Sequence, residues 1–320
     1  MTRALLAVSV AAYLVLSVPT FAGQSFATKP VRFIVPYAPG GGADLIARIV
    51  QPKLVELLGQ QVIVDNRAGA SGNIGAEVAA KTTPNGYTLF MATANLTMAV
   101  SQFHNLPFDP IRDFSAVSLL AKAPSIVAVN PSLPAATMSH LIALAKSAPG
   151  KLNYASDGGG PLQMFVELLK ITAKIDVTNV PYSSTGPAVL SVMSGEASIV
   201  VAPAIAVIPH AKSGRLRALA ITSGRRLDVL PDLPTVSESG VPGFEANQWY
   251  GILVPATTPA AIVRELSDYC AKVMQDADVN SRLTKDASIT IGSRPREFSE
   301  FLKEDIAKWA LAAKSSSVGH

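Results

Sequence analysis

Two glycine-rich stretches are the parts of this chain best suited to bind a small anion. In the first, an apolar run at residues 33–35 is followed by Pro36, a loop that ends in three glycines, and a helical pattern that Asp44 can N-cap. Such a strand–loop–helix unit directs free backbone N–H groups and the positive end of a helix dipole at one point. Glycine also lets a ligand approach the backbone closely, so the loop is suited to a carboxylate.

The second stretch repeats this arrangement. Residues 153–156 are typical of a short strand, three glycines follow at 158–160, and Pro161 suits the first position of a helix. A single glycine loop is also compatible with an ordinary strand-to-helix turn. Two copies favour two lobes, each of which presents a helix N-terminus to a shared cleft.

The residue types that would indicate catalysis or a metal site do not occur at useful spacings. No G-x-S-x-G motif is present, and Ser71 and Ser156 lie in glycine-rich loops without a recognisable base. Residues 69–75 read G-x-x-G-x-x-G, which favours a tight turn over a nucleotide site. None of the histidines has metal-ligand spacing, and the single cysteine suits a buried, inert thiol; these residues are His104, His140, His210, His320 and Cys270. We therefore expect no catalytic residue, no metal and no cofactor.

The first 22 residues are typical of a secretory signal peptide. Arg3 precedes an apolar run at residues 4–18, and small residues precede a cut after Ala22; a cut after Ala27 is the alternative. The run is shorter than the ~20 residues that a membrane span needs, which favours an exported, periplasmic protein. Loss of Arg3 lowers the formal net charge from +4 to +3. No block of basic residues suggests a nucleic-acid partner.

The remaining patterns alternate between strand and helix, which favours an α/β fold with mostly parallel sheets. A strand at residues 88–92 should deliver Thr93 and Asn95 to the sheet edge that carries the first glycine loop, where ligands bind in open α/β sheets. Both side chains could equally cap the next segment. Two separate apolar runs are expected at residues 116–120 and 125–129. Pro52 should kink or split the helix expected at residues 45–58.

Short motifs spread over the mature chain carry a family resemblance. They lie at residues 29–41, 65–75, 84–89, 152–156, 180–182, 216–220, 233–236, 249–251 and 308–309. In this order they resemble the periplasmic substrate-binding receptors of tripartite tricarboxylate transporters, the Bug-type receptors. The resemblance implies a two-lobed, type II periplasmic-binding fold that closes on a small carboxylate and delivers it to a membrane permease.

The resemblance also implies which residues would hold the ligand. The first group would bind its carboxylate, with Asp44 behind the loop, and consists of Tyr37, Pro39, Gly40, Gly41 and Gly42. The second group lies opposite and consists of Ser156, Asp157, Gly158, Gly159 and Gly160. Thr93, Asn95, Tyr182, Ser183 and Ala202 would line the cleft. Trp249 is expected to be core.

Departures from the family pattern bear on the ligand. Ala202 stands where the family commonly has Asp, and Ser183 where it commonly has Lys, while Pro161 and the residues after it form a more apolar wall than usual. These losses disfavour an amino acid and favour a monocarboxylate or dicarboxylate with an apolar or aromatic body.

The expected organisation is a signal peptide (1–22), a first lobe (23–123), a second lobe (124–247) and a return to the first lobe (248–320). We expect a monomer. Two alternatives remain open: a receptor that presents its ligand to a sensor protein, and a secreted hydrolase that uses Ser71 or Ser156.

Overall fold

Strands and helices alternate in the computed structural model, which describes residues 26–103, 105–158 and 160–315. The predicted signal peptide and Gly159 lie outside these ranges. The first half contains β1 (Val31–Val35), α1 (Gly42–Leu58), β2 (Val62–Asn66), a short 3-10 helix (Ala70–Gly72), α2 (Asn73–Ala80), β3 (Thr88–Thr93), α3 (Ala94–Gln102), β4 (Phe114–Val129) and α4 (Met138–Ser147).

The second half begins at the second glycine loop. It contains β5 (Asn153–Ser156), α5 (Pro161–Ala173), β6 (Thr178–Pro181), α6 (Thr185–Ser194), β7 (Ile199–Pro203), α7 (Ala204–Lys212), β8 (Arg217–Ile221), β9 (Asn247–Pro255), α8 (Ala260–Gln275), α9 (Ala277–Lys285), β10 (Ile289–Thr290) and α10 (Pro295–Ser315). The helices α3, α7 and α9 were not predicted.

The helix α1 continues through Pro52 as one element, so the predicted split is wrong. Pro52 is exposed, and the carbonyl that loses its helical partner there can be solvated. The predicted helix end is confirmed, because Gly59 adopts the left-handed conformation (φ 66°) and its N–H bonds the carbonyl of Val55.

The sheet is mixed. β1 pairs in parallel with β2 and β3, and β5 pairs in parallel with β6 and β7. β9 lies antiparallel between β3 and β4, and β4 also pairs antiparallel with β7, β8 and β10. The α/β class is confirmed, but the expectation of mostly parallel pairing fails at β4 and β9, which join the two parallel groups.

β4 is one strand of 16 residues, where two short runs were predicted. Residues 114–124 pair with β9, and residues 125–129 pair with β7 and β8. The strand therefore passes from the first parallel group to the second. Pro124, which has no N–H, stands at the changeover as the last residue that pairs with β9.

Two apolar clusters fill the space around this sheet. One packs α1 and α8 against β1 and contains the buried thiol of Cys270. The other packs α3, α5 and α10 together, and Phe165 of α5 stacks on Trp309 of α10 with ring centroids 5.6 Å apart. Trp249 is buried there beside Phe298, which confirms its predicted core position. Within the described residues, every helix is too short or too polar to cross a membrane.

Candidate functional site

The first glycine loop leaves the N-terminus of α1 open to solvent. Gly41 is the N-cap residue, and Leu45 N–H makes the first helical bond, to the carbonyl of Gly41 at 2.9 Å. The N–H groups of Gly42 and Ala43 therefore precede the helical ladder. Gly40, Gly41 and Gly42 are exposed, as is Pro39. Gly40 adopts φ +87°, a conformation that favours glycine.

Asp44 supports this loop from behind and is not its N-cap, so that prediction is wrong. The side chain lies in the first turn, is 3% exposed, and accepts hydrogen bonds from Gly40 N–H (2.9 Å), Arg48 Nε (2.9 Å) and Asn66 Nδ2 (3.0 Å). Burial raises the pKa of Asp44, but these hydrogen bonds outweigh it and hold the pKa below its ordinary value. The carboxylate therefore holds the loop, and Gly40 N–H is already occupied.

Tyr37 and Thr93 come together beside the loop. The Tyr37 hydroxyl lies 3.0 Å from Thr93 Oγ1 and donates to the carbonyl of Ser71 at 3.3 Å. Burial raises the pKa of Tyr37 to about 12, with the bond to Thr93 opposing, so the phenol stays protonated near neutral pH. A cavity of about 10 Å³ behind Tyr37 is at the limit for one water. A carboxylate ligand therefore does not fit in this cavity.

Tyr250 belongs to the same cluster and was not predicted as a site residue. Its hydroxyl occupies the space that a Cβ on Gly42 would need. Burial raises the pKa of Tyr250, and nearby Tyr37 and Asp286 raise it further. Gly42 thus allows the N-terminus of α1 to approach β9. The signal was a tyrosine near the start of β9, and its place beside the loop can be identified only once β9 is known to pair with β3.

The G-x-x-G-x-x-G stretch behaves as the predicted tight turn. A Cβ on Gly75 would lie 2.8 Å from Pro36 Cα and 2.9 Å from the carbonyl of Arg67, so α2 packs directly on the chain that leaves β1. Asn95 lies in the first turn of α3 and is half-buried.

The second glycine loop differs from the first, because its own carboxylate lies at the helix. Asp157 Oδ1 accepts from the N–H of Gln163, in the first turn of α5, at 3.4 Å. A Cβ on Gly160 would overlap the Asp157 carboxylate. Ser156 is fully buried, and its hydroxyl oxygen accepts from Gly158 N–H at 3.3 Å. The N-terminus of α5, which was expected to be open to a ligand anion, is therefore occupied by the protein's own Asp157 carboxylate.

The residues predicted to line the cleft from the second lobe are scattered. Tyr182 lines an open surface cavity of about 600 Å³ with Pro187 and Leu190 of α6. Ser183 is exposed, just before α6. Ala202 is fully buried in β7, opposite Ile126, and offers no surface in this conformation.

The family model for the tripartite tricarboxylate transporter family receptor matches residues 46–316, most of the chain. The chain belongs to this receptor family. Its fold accordingly is the two-lobed α/β fold of periplasmic binding proteins.

Individual members extend the match. Protein BugT of Bordetella pertussis is 31% identical over 290 residues, which cover 90% of this chain and 89% of BugT. A solved periplasmic transporter is 35% identical with a TM-score of 0.76, covering 92% of this chain and 99% of that one. An R. palustris protein solved with adipate is 31% identical with a TM-score of 0.75, covering 90% and 97%.

The two serines considered as nucleophiles, Ser71 and Ser156, are engaged with their own loops. An activated serine needs a base within hydrogen-bond reach. Ser156 is buried and engaged with a backbone N–H, and Ser71 adopts φ +54° with its carbonyl bound to Tyr37. Across the described residues, no cluster of His, Cys, Asp and Glu is arranged to hold a metal ion.

Proposed function

We propose that this receptor captures a small organic carboxylate in the cleft between its lobes and delivers it to the permease of a tripartite tricarboxylate transporter. The carboxylate is bound by the N–H groups at the start of α1, and the Tyr37 ring forms one wall beside it. The lobes close about β4 and β9, and the receptor acts in the periplasm as a monomer, without catalysis.

The open N-terminus of α1 is the observation that carries this proposal. The helix presents unpaired N–H groups and its positive dipole end at an exposed loop, and a protonated phenol lies next to it. The buried Asp44 fixes the loop without occupying that face. The adipate found in a relative that is 31% identical supports a carboxylate ligand.

Thermal unfolding of the mature protein with carboxylates, each compared with its amide, tests the proposal. The protein is first unfolded and refolded to remove co-purified ligand. An acid at ~100 times its dissociation constant should stabilise the fold by about 2.7 kcal/mol. This corresponds to roughly 4 °C in Tm for a chain of this size, whose entropy of unfolding is about 0.6 kcal/mol/K.

A substitution in the loop should abolish that shift. Gly41 has φ −78°, and a Cβ there would meet only the carbonyl of Ala38 at 3.7 Å, so Gly41→Leu should fold while covering the N–H groups. Ala136→Leu places the same side chain at an exposed site before α4 and should keep the shift. If no acid shifts the wild-type Tm, or if Gly41→Leu responds like the control, the proposal is wrong.

A further inference from the structure

The backbone passes between the two groups of strands at the changeover, where Pro124 of β4 pairs with Asn247 at the start of β9. Beyond this point, Thr222 fixes both chains to the end of β8. Its hydroxyl accepts from Ser125 N–H at 2.9 Å and donates to the Ser125 carbonyl at 3.1 Å, and its carbonyl accepts from Ala246 N–H at 3.0 Å. A rotation of one group against the other would therefore act on the few residues at the changeover.

An ion pair spans this changeover. Lys122 lies on β4 before Pro124, Glu245 lies on the segment that enters β9, and Lys122 Nζ is 2.5 Å from Glu245 Oε1. Asn247 Nδ2 donates to the same carboxylate oxygen at 2.8 Å. A Cβ on Gly224, in the loop after β8, would lie 3.0 Å from Glu245 Oε2. The carboxylate therefore lies against the second group of strands, and the ammonium lies on the part of β4 that belongs to the first.

The ion pair is only partly open to solvent. The Lys122 side chain is 21% exposed, and that of Glu245 is 38% exposed. The Lys122 ammonium also lies 5.2 Å from the centroid of the Phe301 ring in α10, which is a cation–π contact. Water and salt screen such a pair less than one on the open surface, so it favours more strongly the conformation in which it forms.

Two other polar groups at the changeover are not satisfied in this conformation. Asn247 Oδ1 and Gln248 Oε1 are buried, and neither accepts a hydrogen bond from any residue that the structure describes. Buried acceptors of this kind are rare, because an unused acceptor costs free energy. Lys122 has three N–H donors close by. The changeover therefore contains acceptors that a second arrangement of the same side chains could use.

β9 connects this changeover to the first glycine loop. Tyr250, three residues after Asn247, pairs with Thr93, and its hydroxyl lies against the backbone of Gly42. In this conformation Gly40, Gly41 and Gly42 are exposed to solvent. The ion pair is thus formed in a state whose proposed binding loop is open.

We propose that the Lys122–Glu245 ion pair is a latch: it holds the receptor in this open conformation, breaks when the lobes close on a carboxylate, and so sets the affinity. This inference rests on the proposed function. A ligand that binds the closed form has an apparent dissociation constant equal to the intrinsic one divided by the fraction of receptor that is closed. Because the latch lowers that fraction, loss of the pair should tighten the binding of every acid by the same factor, although neither residue is among those proposed to bind.

Titration calorimetry tests the latch with adipate, hexanoate, benzoate and any further acid that raises the Tm of the wild type. Glu245→Gln removes the charge and keeps an oxygen for Asn247 Nδ2, so the variant should fold. We expect the dissociation constant of each acid to fall about fivefold, near the upper end for a pair that is still partly exposed. Lys122→Met keeps an aliphatic stem beside Phe301 and should have the same effect.

The double variant shows whether the two residues act as one unit. Glu245→Gln combined with Lys122→Met should bind no more tightly than either single variant. The control is Glu77→Gln, which breaks a pair with Lys81 of the same length, 2.5 Å, and with a carboxylate that is similarly exposed (36%). That pair lies at the end of α2 and does not span the changeover, so the control should leave every dissociation constant unchanged.

Three results would overturn the inference while leaving the receptor function intact. They are affinities that Glu245→Gln does not raise, gains that differ from one acid to the next, and gains that add up in the double variant. If no acid binds the wild type or Glu245→Gln, the proposed function falls and the latch falls with it.

Discussion

Asp44 connects the loop, the helix and the neighbouring strand through one carboxylate. It accepts from Gly40 ahead of α1, from Arg48 one turn later and from Asn66 at the end of β2. A group that is hydrogen-bonded in this way in the folded state but not in the unfolded chain makes stability depend on pH. The charged carboxylate is the form that holds the loop.

We expect Asp44→Asn to lower stability at neutral pH and to reduce the acid dependence. Because the folded-state pKa is lowered, the stabilisation by Asp44 is fully present above its unfolded pKa of about 3.9 and is lost as pH falls through the folded value. Denaturant unfolding from pH 7 to 3 should show a constant difference between variant and wild type above about pH 5 and convergence below about pH 4. A difference independent of pH would contradict this role.

The site could be predicted in part at the level of residues. Thr93 was chosen from its place after a predicted strand and Tyr37 from the family resemblance, and the structure brings their hydroxyls together. Tyr250 escaped notice because its role depends on a strand pairing across a long sequence separation. The orientation of Asp157 depends on side-chain rotamers in a loop, which residue types do not specify. The ligand-binding roles themselves stay predictions.

At the level of elements, the approach of α1 to β9 depends on one missing side chain. Gly42 is the first residue of α1, and the Tyr250 hydroxyl lies against the backbone of Gly42. If that hydroxyl is removed, the next ring atom, Cζ, is 3.4 Å from the position of a Cβ, which is an ordinary contact. The helix start and the tyrosine should therefore behave as a coupled pair.

A double-mutant cycle tests this coupling. Gly42→Ala should destabilise the wild type because Tyr250 must move, and it should cost less in a Tyr250→Phe background. We expect a coupling free energy of about 1–2 kcal/mol by denaturant unfolding, within the range for contacting residues. Additive effects would show that the helix adjusts without the tyrosine.

Helices were predicted unevenly from their local patterns. α8 begins and ends as its apolar spacing indicates, at residues 260 and 275, whereas α3, α7 and α9 were missed. β4 was predicted as two short runs, and only its pairing with β9 along one part and with β7 along the other makes it continuous. The pairing of a strand with partners far away in the sequence produces no periodic pattern in the strand's own residues.

At the scale of the molecule, a buried carboxylate ties the terminal helix to β9 and α3. Asp305 of α10 accepts from the indole nitrogens of Trp249 and Trp309, both at 2.9 Å, and lies 2.6 Å from the Thr97 hydroxyl. Lys308 completes an ion pair at 2.6 Å. The stack of Trp309 on Phe165 then carries the contact to α5. α10 therefore contacts α5 as well as β9 and α3.

Asp305→Ala should lower the free energy of unfolding by about 3–5 kcal/mol, because it leaves two buried indole N–H groups and a lysine without their acceptor. Glu304→Ala alters an exposed carboxylate one residue away and should change stability by less than about 0.5 kcal/mol. Chemical denaturation of both variants measures the difference. Equal effects of the two substitutions would show that the Asp305 network contributes little.

The α/β class and the alternation within each lobe were predictable from the sequence, because repeated strand–glycine loop–helix units constrain topology strongly. The mixed pairing at the centre of the sheet was not predictable. The antiparallel strands β4 and β9 have the same local residue pattern as any buried strand. The lobe boundaries at residues 123 and 247 stay predictions.

β4, which pairs with both groups of strands, also limits how the lobes of two such receptors can be exchanged. A chimera that takes one lobe from each of two parents must cut β4 in mid-strand near Pro124, whose partner Asn247 is the first residue of β9. Both halves of β4 are hydrogen-bonded to neighbouring strands, so a foreign half would have to match in twist and register. Exchange of only the two glycine loops avoids a junction within β4. It would transfer the residues predicted to bind the ligand, while β4 and β9 both come from one parent.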